Sequence, residues 1–422
     1  MLISIKKYFQ DHKSFMIYLF SGFISKGIGL MMLPIFTNYL TPHDFGQINI
    51  LSNFTIIITP FIYLSILQTI SSDFFKLSAV EFKKVLSSLV YLPIICTVII
   101  VIISLPFSSS ISEYFRVFEF FIILAPIFVL GNFYTELILV LLRNYERQWS
   151  FFWYILFKVL LETLVSLILV LLVYNNLWGR IWGIAIGSLF SLPIAFVFLR
   201  KKVINFSFDK KIVRDEFFFA IPMIINQFAL SIFSTSDKFF LAKYVSISEL
   251  GAYSVAYQLC YVIVVISNSY YTFIAPKFFA ALSKQKISLL SLATKSFKVF
   301  IFVNGLICLF TFFFSGFIYK LMIGKSFSEG QKYLSFILLG LFFWSITNPL
   351  FSIFYFYKQK KLIGILSIVF IIINLGLNYL FVTSIGGIGI AISTSVFYCL
   401  LFFTVIYIIR SILEKKFYRY AS

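Results

Sequence analysis

The segment YLTPHDFGQIN (39–49) returns without a gap as YVSISELGAYS (244–254), at an offset of 205 residues in a chain of 422. Tyr39 falls on Tyr244, Thr41 on Ser246, Asp44 on Glu249, Phe45 on Leu250 and Gly46 on Gly251. Each copy reads as a tight turn that starts a helix. Thr41 caps, Pro42 takes the first helical position, where its missing N–H costs nothing, and Asp44 favours the first turn. Ser246 and Glu249 have the S-x-x-E form of a capping box. Gly46 and Gly251 follow, where a small residue lets helices approach closely. A second match, WGIAI (182–186) with IGIAI (388–392), has an offset of 206. Two registers agreeing to one residue, far apart in each half, predict a duplicated chain with halves at 1–205 and 206–422.

The composition says where those halves reside. The chain is 61% hydrophobic, 21% aromatic and 12% charged, whereas a soluble domain carries about 25% charged residues. Apolar runs of about 20 residues, enough to span a bilayer as helix, recur throughout. Twelve spans are predicted, at roughly 14–39, 45–69, 85–106, 117–142, 150–173, 178–199, 217–241, 249–274, 298–319, 332–357, 362–382 and 387–409. The longest connections are 73–84, 200–216 and 275–297, too short for a separate soluble domain. The N-terminal stretch MLISIKKYFQDHK lacks a small-residue cleavage site, so it reads as the entry to an uncleaved first helix.

The net charge of +19 follows the loops. One set carries Lys6, Lys7, Lys13, Lys76, Lys83, Lys84, Arg143 and Arg147. It continues with Arg200, Lys201, Lys202, Lys210, Lys211 and Arg214, five lysines between 277 and 298, Lys358, Lys360, Lys361 and the basic tail. The opposite set holds only Arg116, Arg180, Lys238, Lys243, Lys320, Lys325 and Lys332. By the positive-inside rule the first set is cytoplasmic, and so are both termini. The charge is thus a topology signal and an attraction to anionic lipid, and nucleic acid is excluded as a partner. Cys96, Cys260, Cys308 and Cys399 stand alone, without metal or redox spacing. Six spans per half is an even number, so both halves enter the membrane in the same direction. The expected fold is therefore all-α and polytopic: two parallel six-helix bundles related by an axis along the membrane normal.

Ionisable residues inside spans are costly and mark cavities or partners. Lys26 lies about a dozen residues into span 1, roughly 18 Å deep at 1.5 Å per residue. It reads as a cation awaiting an anionic substrate, or as one paired with an acid on another helix. Lys158 and Glu162, four apart on span 5, can pair with each other or relay an ion, and Glu136 on span 4 can join that relay. Asp237 and Lys238 are neighbours on span 7, pointing apart. Arg180 starts span 6, where snorkelling to the outer surface accounts for it. Asn53, Asn226, Gln227 and Gln258 supply donors and acceptors for a sugar, or bond helix to helix. Pro34, like Pro60, Pro126, Pro193, Pro222 and Pro349, can kink its helix.

LPIFTNYLTPHDFGQINILSNF (33–54) resembles the opening signature of bacterial polysaccharide flippases of the Wzx type. IPMIINQFALSIFSTSDKFFLAKYVSISELGAYSVAYQL (221–259) looks like their seventh and eighth helices, with Asp237, Lys238, Glu249, Gly251, Tyr253 and Ser254 on the pattern. GRIWGIAIGSLF (179–190) and GGIGIAIST (386–394) are similar too. The wider group is the multidrug/oligosaccharidyl-lipid/polysaccharide (MOP) superfamily. The resemblance implies two six-helix bundles around a central cavity lined by spans 1, 2, 7 and 8, in the bacterial inner membrane. It implies an undecaprenyl-pyrophosphate-linked oligosaccharide as substrate, flipped outward for O-antigen or another surface polysaccharide. It also implies a polymerase and chain-length complex as a partner. Lys26 fits the role of pyrophosphate receiver. No cofactor, metal or catalytic residue is expected; coupling is to H+ or Na+. The alternative is a cation-coupled multidrug or metabolite antiporter of the MATE type. Outer loops this short leave no room for a glycosyltransferase or polymerase site.

Overall fold

The computed structural model describes residues 17, 20–24, 26–174, 176–200, 209–268, 271, 287–356 and 359–421. Lys6, Lys7, Lys13, Lys201, Lys202, Lys277, Lys284, Lys286 and Lys358, and the expected junction at 205/206, lie outside the described residues. Among the described residues, twelve helices are long and apolar enough to cross a membrane: Phe20–Tyr39, Pro42–Tyr63, Ala79–Phe115, Glu119–Asn144, Gln148–Tyr174 and Leu177–Arg200 as spans 1–6, then Lys210–Tyr244, Ile247–Asn268, Phe300–Met322, Lys325–Leu350, Gly364–Ile385 and Gly387–Ser411 as spans 7–12. The described residues contain no strand. Several helices outrun their apolar stretches. Helix begins at Lys210 rather than near 217, and at Ile287 rather than near 298. Hydropathy marks only the hydrocarbon core, whereas backbone hydrogen bonds continue into the polar interface.

The chain falls into two compact units, Met1–Thr235 and Ser236–Ser422. In the first, span 2 packs on span 4, span 4 on span 6, and span 5 on span 6. Within the second, the corresponding pairs recur: span 8 on span 10, span 10 on span 12, and span 11 on span 12. Phe121 in span 4 and Phe327 in span 10 stand 206 residues apart, and both are fully buried. Lipid tails are as apolar as the side chains. These helices are therefore held by close packing and interhelical hydrogen bonds more than by the hydrophobic effect.

The repeated turn is built as the residues predict in the first copy. The Thr41 hydroxyl accepts from the Asp44 N–H at 3.2 Å, and the Asp44 carboxylate accepts from the Thr41 N–H at 2.9 Å, a complete capping box. In the second copy Ser246 accepts from the Glu249 N–H at 3.0 Å. The Glu249 carboxylate turns away instead, to Lys332 at 2.7 Å and to the Tyr333 hydroxyl. The stronger motif in sequence is thus the weaker box in space. The longer Glu side chain reaches a tertiary partner that completes the link from span 8 to span 10. Gly46 and Gly251 are both buried, and Pro34 lies in the C-terminal part of span 1 as the first-turn proline of helix Leu33–Tyr39.

The second repeated phrase also has a packing cause. A Cβ on Gly183 would stand 2.6 Å from the Ser166 Cα, which fixes how closely span 6 lies on span 5. Span 5 ends in a π-helical turn, Leu169–Tyr174.

Span 2 is interrupted just past its end. Leu64 (φ 46°) and Ser65 (φ 57°) are consecutive left-handed residues, neither of them glycine. A left-handed conformation costs an L-residue about 1–2 kcal/mol. Helix resumes as Ile66–Asp73. Pro60, one turn earlier, cannot donate a backbone hydrogen bond and weakens the helix where it breaks.

Candidate functional site

Lys26, Asn53, Asn226, Gln227, Glu136, Lys158 and Glu162 belong to the first unit; Lys238, Gln258 and Asp237 belong to the second. Lys26 is exposed on span 1. Asn53 is buried and donates to Asn49 one turn away at 3.1 Å, while buried Gln47 donates to the Arg116 carbonyl at 2.9 Å. On span 7, Asn226 is exposed and Gln227 half-buried. Gln258 is exposed on span 8.

The intramembrane charges of the first unit are paired differently from the reading of neighbours in sequence. Among the described residues, Glu162 and Lys158 form no ion pair with each other. The Glu162 carboxylate faces the Arg180 guanidinium at 3.5 Å, and Arg180 also donates to the Ser166 hydroxyl at 2.7 Å. The same guanidinium lies 4.9 Å from the centre of the Phe36 ring. Arg180 therefore does not snorkel outward. It joins spans 1, 5 and 6, because a planar cation with several donors gains more from fixed partners than from the interface. Lys158 donates to the Asn132 side chain at 3.2 Å, and Glu136, one turn beyond Asn132 on span 4, is exposed.

In the second unit the sequence neighbours do meet. The Lys238 ammonium lies 3.7 Å from the Asp237 carboxylate, correcting the expectation that adjacent helical residues point apart. The flexible stem lets lysine curl back. Its ammonium also lies 5.0 Å from the centre of the Tyr257 ring. Asp237 is buried and accepts a hydrogen bond from the Tyr253 hydroxyl at 3.0 Å.

Beside it runs a buried polar network that the sequence reading missed. Ser236 donates to Asn374 at 2.6 Å, Asn378 donates to Ser236 at 3.1 Å, and Ser393 donates to Asn378 at 2.7 Å. All four side chains are buried. The signal was present: two asparagines at i, i+4 in the apolar span 11 have no lipid-facing use. The network ties spans 7, 11 and 12 together at the level of Asp237. Its oxygens would suit a hydrogen-bonded proton or a small hard cation, whereas no cluster among the described residues has the donor set for a transition metal.

Just ahead of span 7, Asp209 is bound by Lys84 of span 3 at 2.6 Å, and that hydrogen bond holds the Asp209 carboxyl below its ordinary range, helped by the Lys211 N–H.

Residues 12–282 match the family described as polysaccharide biosynthesis protein, and residues 222–380 match the MatE family. Among solved structures, the fold resembles a lipid II flippase MurJ in an inward closed conformation. That match has a TM-score of 0.71 and 18% identity, over 93% of this chain and 87% of the other. It also resembles an inward-facing multidrug resistance MATE transporter of the MOP superfamily, with a TM-score of 0.61 and 16% identity, over 94% and 96% of the two chains. A Vibrio cholerae MATE transporter is similar at a TM-score of 0.54 and 13% identity, over 93% and 98%. No curated protein gives a significant match. The chain thus has the all-helical, multi-pass fold of MOP-superfamily transporters.

Proposed function

The chain belongs to the polysaccharide biosynthesis protein family, and from that premise we propose that it is a flippase for a lipid-linked oligosaccharide. It takes an undecaprenyl-pyrophosphate-linked repeat unit from the cytoplasmic to the outer leaflet of a bacterial inner membrane. The family match over 12–282 is the observation that carries this reading; the resemblance to MATE folds leaves the substrate class to experiment. The halves 1–205 and 206–422 are the bodies that alternate access. Lys26 offsets part of the pyrophosphate charge, since an uncompensated anion could not cross hydrocarbon. Asn53, Asn226, Gln227, Lys238 and Gln258 are the remaining candidates for substrate contact. A proton or sodium gradient resets the cycle through Glu136, Lys158, Glu162 or Asp237. Of these Asp237 has the best-formed surroundings, being buried with a hydroxyl donor and a cation beside it. The surface polysaccharide made from the product, whether O-antigen, capsule or exopolysaccharide, requires a polymerase complex beyond this chain.

The second reading, a cation-coupled multidrug antiporter, has one observation in its favour, the MatE match over 222–380. Deleting the gene in its host separates the two. Loss of surface glycan with build-up of lipid-linked oligosaccharide in the inner leaflet, rescued by the intact gene but not by Lys26→Ala, supports the flippase with a central cation. Normal glycan with new sensitivity to cationic drugs moves the chain to the exporters.

A further inference from the structure

Glu216, near the start of span 7, is 5% exposed, and no motif drew attention to it. Its partner is distant in sequence. The Thr69 hydroxyl, on the short helix that follows the left-handed break at Leu64 and Ser65, donates to the Glu216 carboxylate at 2.9 Å. Asp73 lies one turn beyond Thr69 on that helix and acts on Glu216 electrostatically. The contact is packed: Leu64, Ile66 and Ile70 share a buried cluster with Ala220 of span 7. Among the described residues Glu216 forms no ion pair.

The described charged groups on neighbouring elements have other partners or are exposed. Lys84 of span 3 is bound to Asp209. Arg214 and Asp215, on Glu216's own helix, are exposed and lie 3.9 Å apart. Arg143 and Arg200, at the ends of spans 4 and 6, and Lys210 and Lys211 are exposed. The phenols of Tyr63 and Tyr134 belong to the same packed region, and Tyr134 donates to the Val90 carbonyl at 2.8 Å. The break itself leaves a loose end, because the buried Ser65 hydroxyl has no hydrogen-bond partner.

We propose that Thr69 and Glu216 form a proton-controlled latch that holds the segment Ile66–Asp73 against span 7. With its proton, the Glu216 carboxyl is a neutral acceptor for the Thr69 hydroxyl, and the apolar contact closes. When the proton leaves to water, a carboxylate is stranded beside Asp73 with no ion-pair partner among the described residues, which costs far more buried than solvated. The segment then swings away and lets water reach the charge. Leu64 and Ser65 absorb the movement, since two strained residues between two helices are where the backbone yields most cheaply. The latch concerns the conformation of the chain and holds whatever substrate the protein carries.

The test is a distance measurement by electron paramagnetic resonance on the full chain in lipid nanodiscs. Nitroxides are placed at exposed positions through Gln68→Cys and Lys211→Cys, with the four native cysteines replaced. A single short-distance population at pH 5, joined by a longer one at pH 9, is expected. Glu216→Gln, which keeps the neutral acceptor, holds the short population at both pH values. Asp73→Asn, which removes the repelling charge, lets Glu216 ionise more easily and moves the midpoint down by about one pH unit. Equal distributions at pH 5 and pH 9, or a Glu216→Gln chain that opens with pH as the parent does, overturns the latch.

Discussion

The Tyr253 hydroxyl donates to the Asp237 carboxylate across 3.0 Å, joining span 8 to span 7 in the interior of the second unit. The ring of Tyr253 is wholly buried, so the bond is shielded from water. Lys238 faces the other side of the same acid at 3.7 Å.

Tyr253→Phe removes one donor from a buried carboxylate and leaves the ring packing intact. A hydrogen bond to a charged group is worth about 1.5–3 kcal/mol net, so the variant loses roughly that stability. Asp237→Asn, which keeps an acceptor for Tyr253 but strands the Lys238 charge, loses a comparable amount. Thermal unfolding in detergent, followed by tryptophan fluorescence, measures both. A Tyr253→Phe chain as stable as the parent sinks the claim that this bond holds the two spans.

Gly183 and Gly389 occupy the corresponding place in the two halves. A Cβ on Gly183 would be 2.6 Å from the Ser166 Cα, and one on Gly389 would be 2.6 Å from the Phe381 carbonyl carbon. Alanine at either position forces the last two spans of its half apart, at a cost of about 1–3 kcal/mol. Gly376, where an added Cβ meets nothing within 4 Å, is the control: alanine there is neutral or stabilising through its better helix propensity. Melting temperatures of the three variants decide it, and a Gly376→Ala loss equal to the other two refutes the packing argument.

The Glu162–Arg180 pair has both side chains about a quarter exposed, 28% and 23%, which limits the coupling to about 1 kcal/mol in a double-mutant cycle. Arg180→Ala costs more than Glu162→Gln, about 2 kcal/mol, because Ser166 and the face of Phe36 lose their partner as well. Arg180→Lys does not rescue, since a point charge cannot meet all three at once. Unfolding of the two singles and the double against the parent checks the order, and equal losses in the singles would remove Arg180 as the joint of spans 1, 5 and 6.

Much of the fold was legible because the signals are local. Apolar runs of bilayer length set the number of spans, and repeated phrases at offsets of 205 and 206 set the duplication. Thr41, Pro42 and Asp44 form their cap because each partner lies within one turn. Legibility failed where a side chain had a choice of partners. Glu249 could have closed a box on Ser246 and went to Lys332 instead. Glu162 could have met Lys158 and met Arg180. Lys238 was read as pointing away from Asp237 and curls back to it.

The sequence by itself determined that the chain is a membrane protein of twelve spans, six written twice, because hydropathy and turn chemistry act over a few residues. Only the tertiary structure decided which charges neutralise one another and which polar groups share an interior. Ser236, Asn374, Asn378 and Ser393 come from three spans, and Thr69 and Glu216 stand 147 residues apart. Those pairings depend on how closely and at what height helices lie side by side. Small residues such as Gly183 and Gly389 set that spacing, and no property of a single helix contains it.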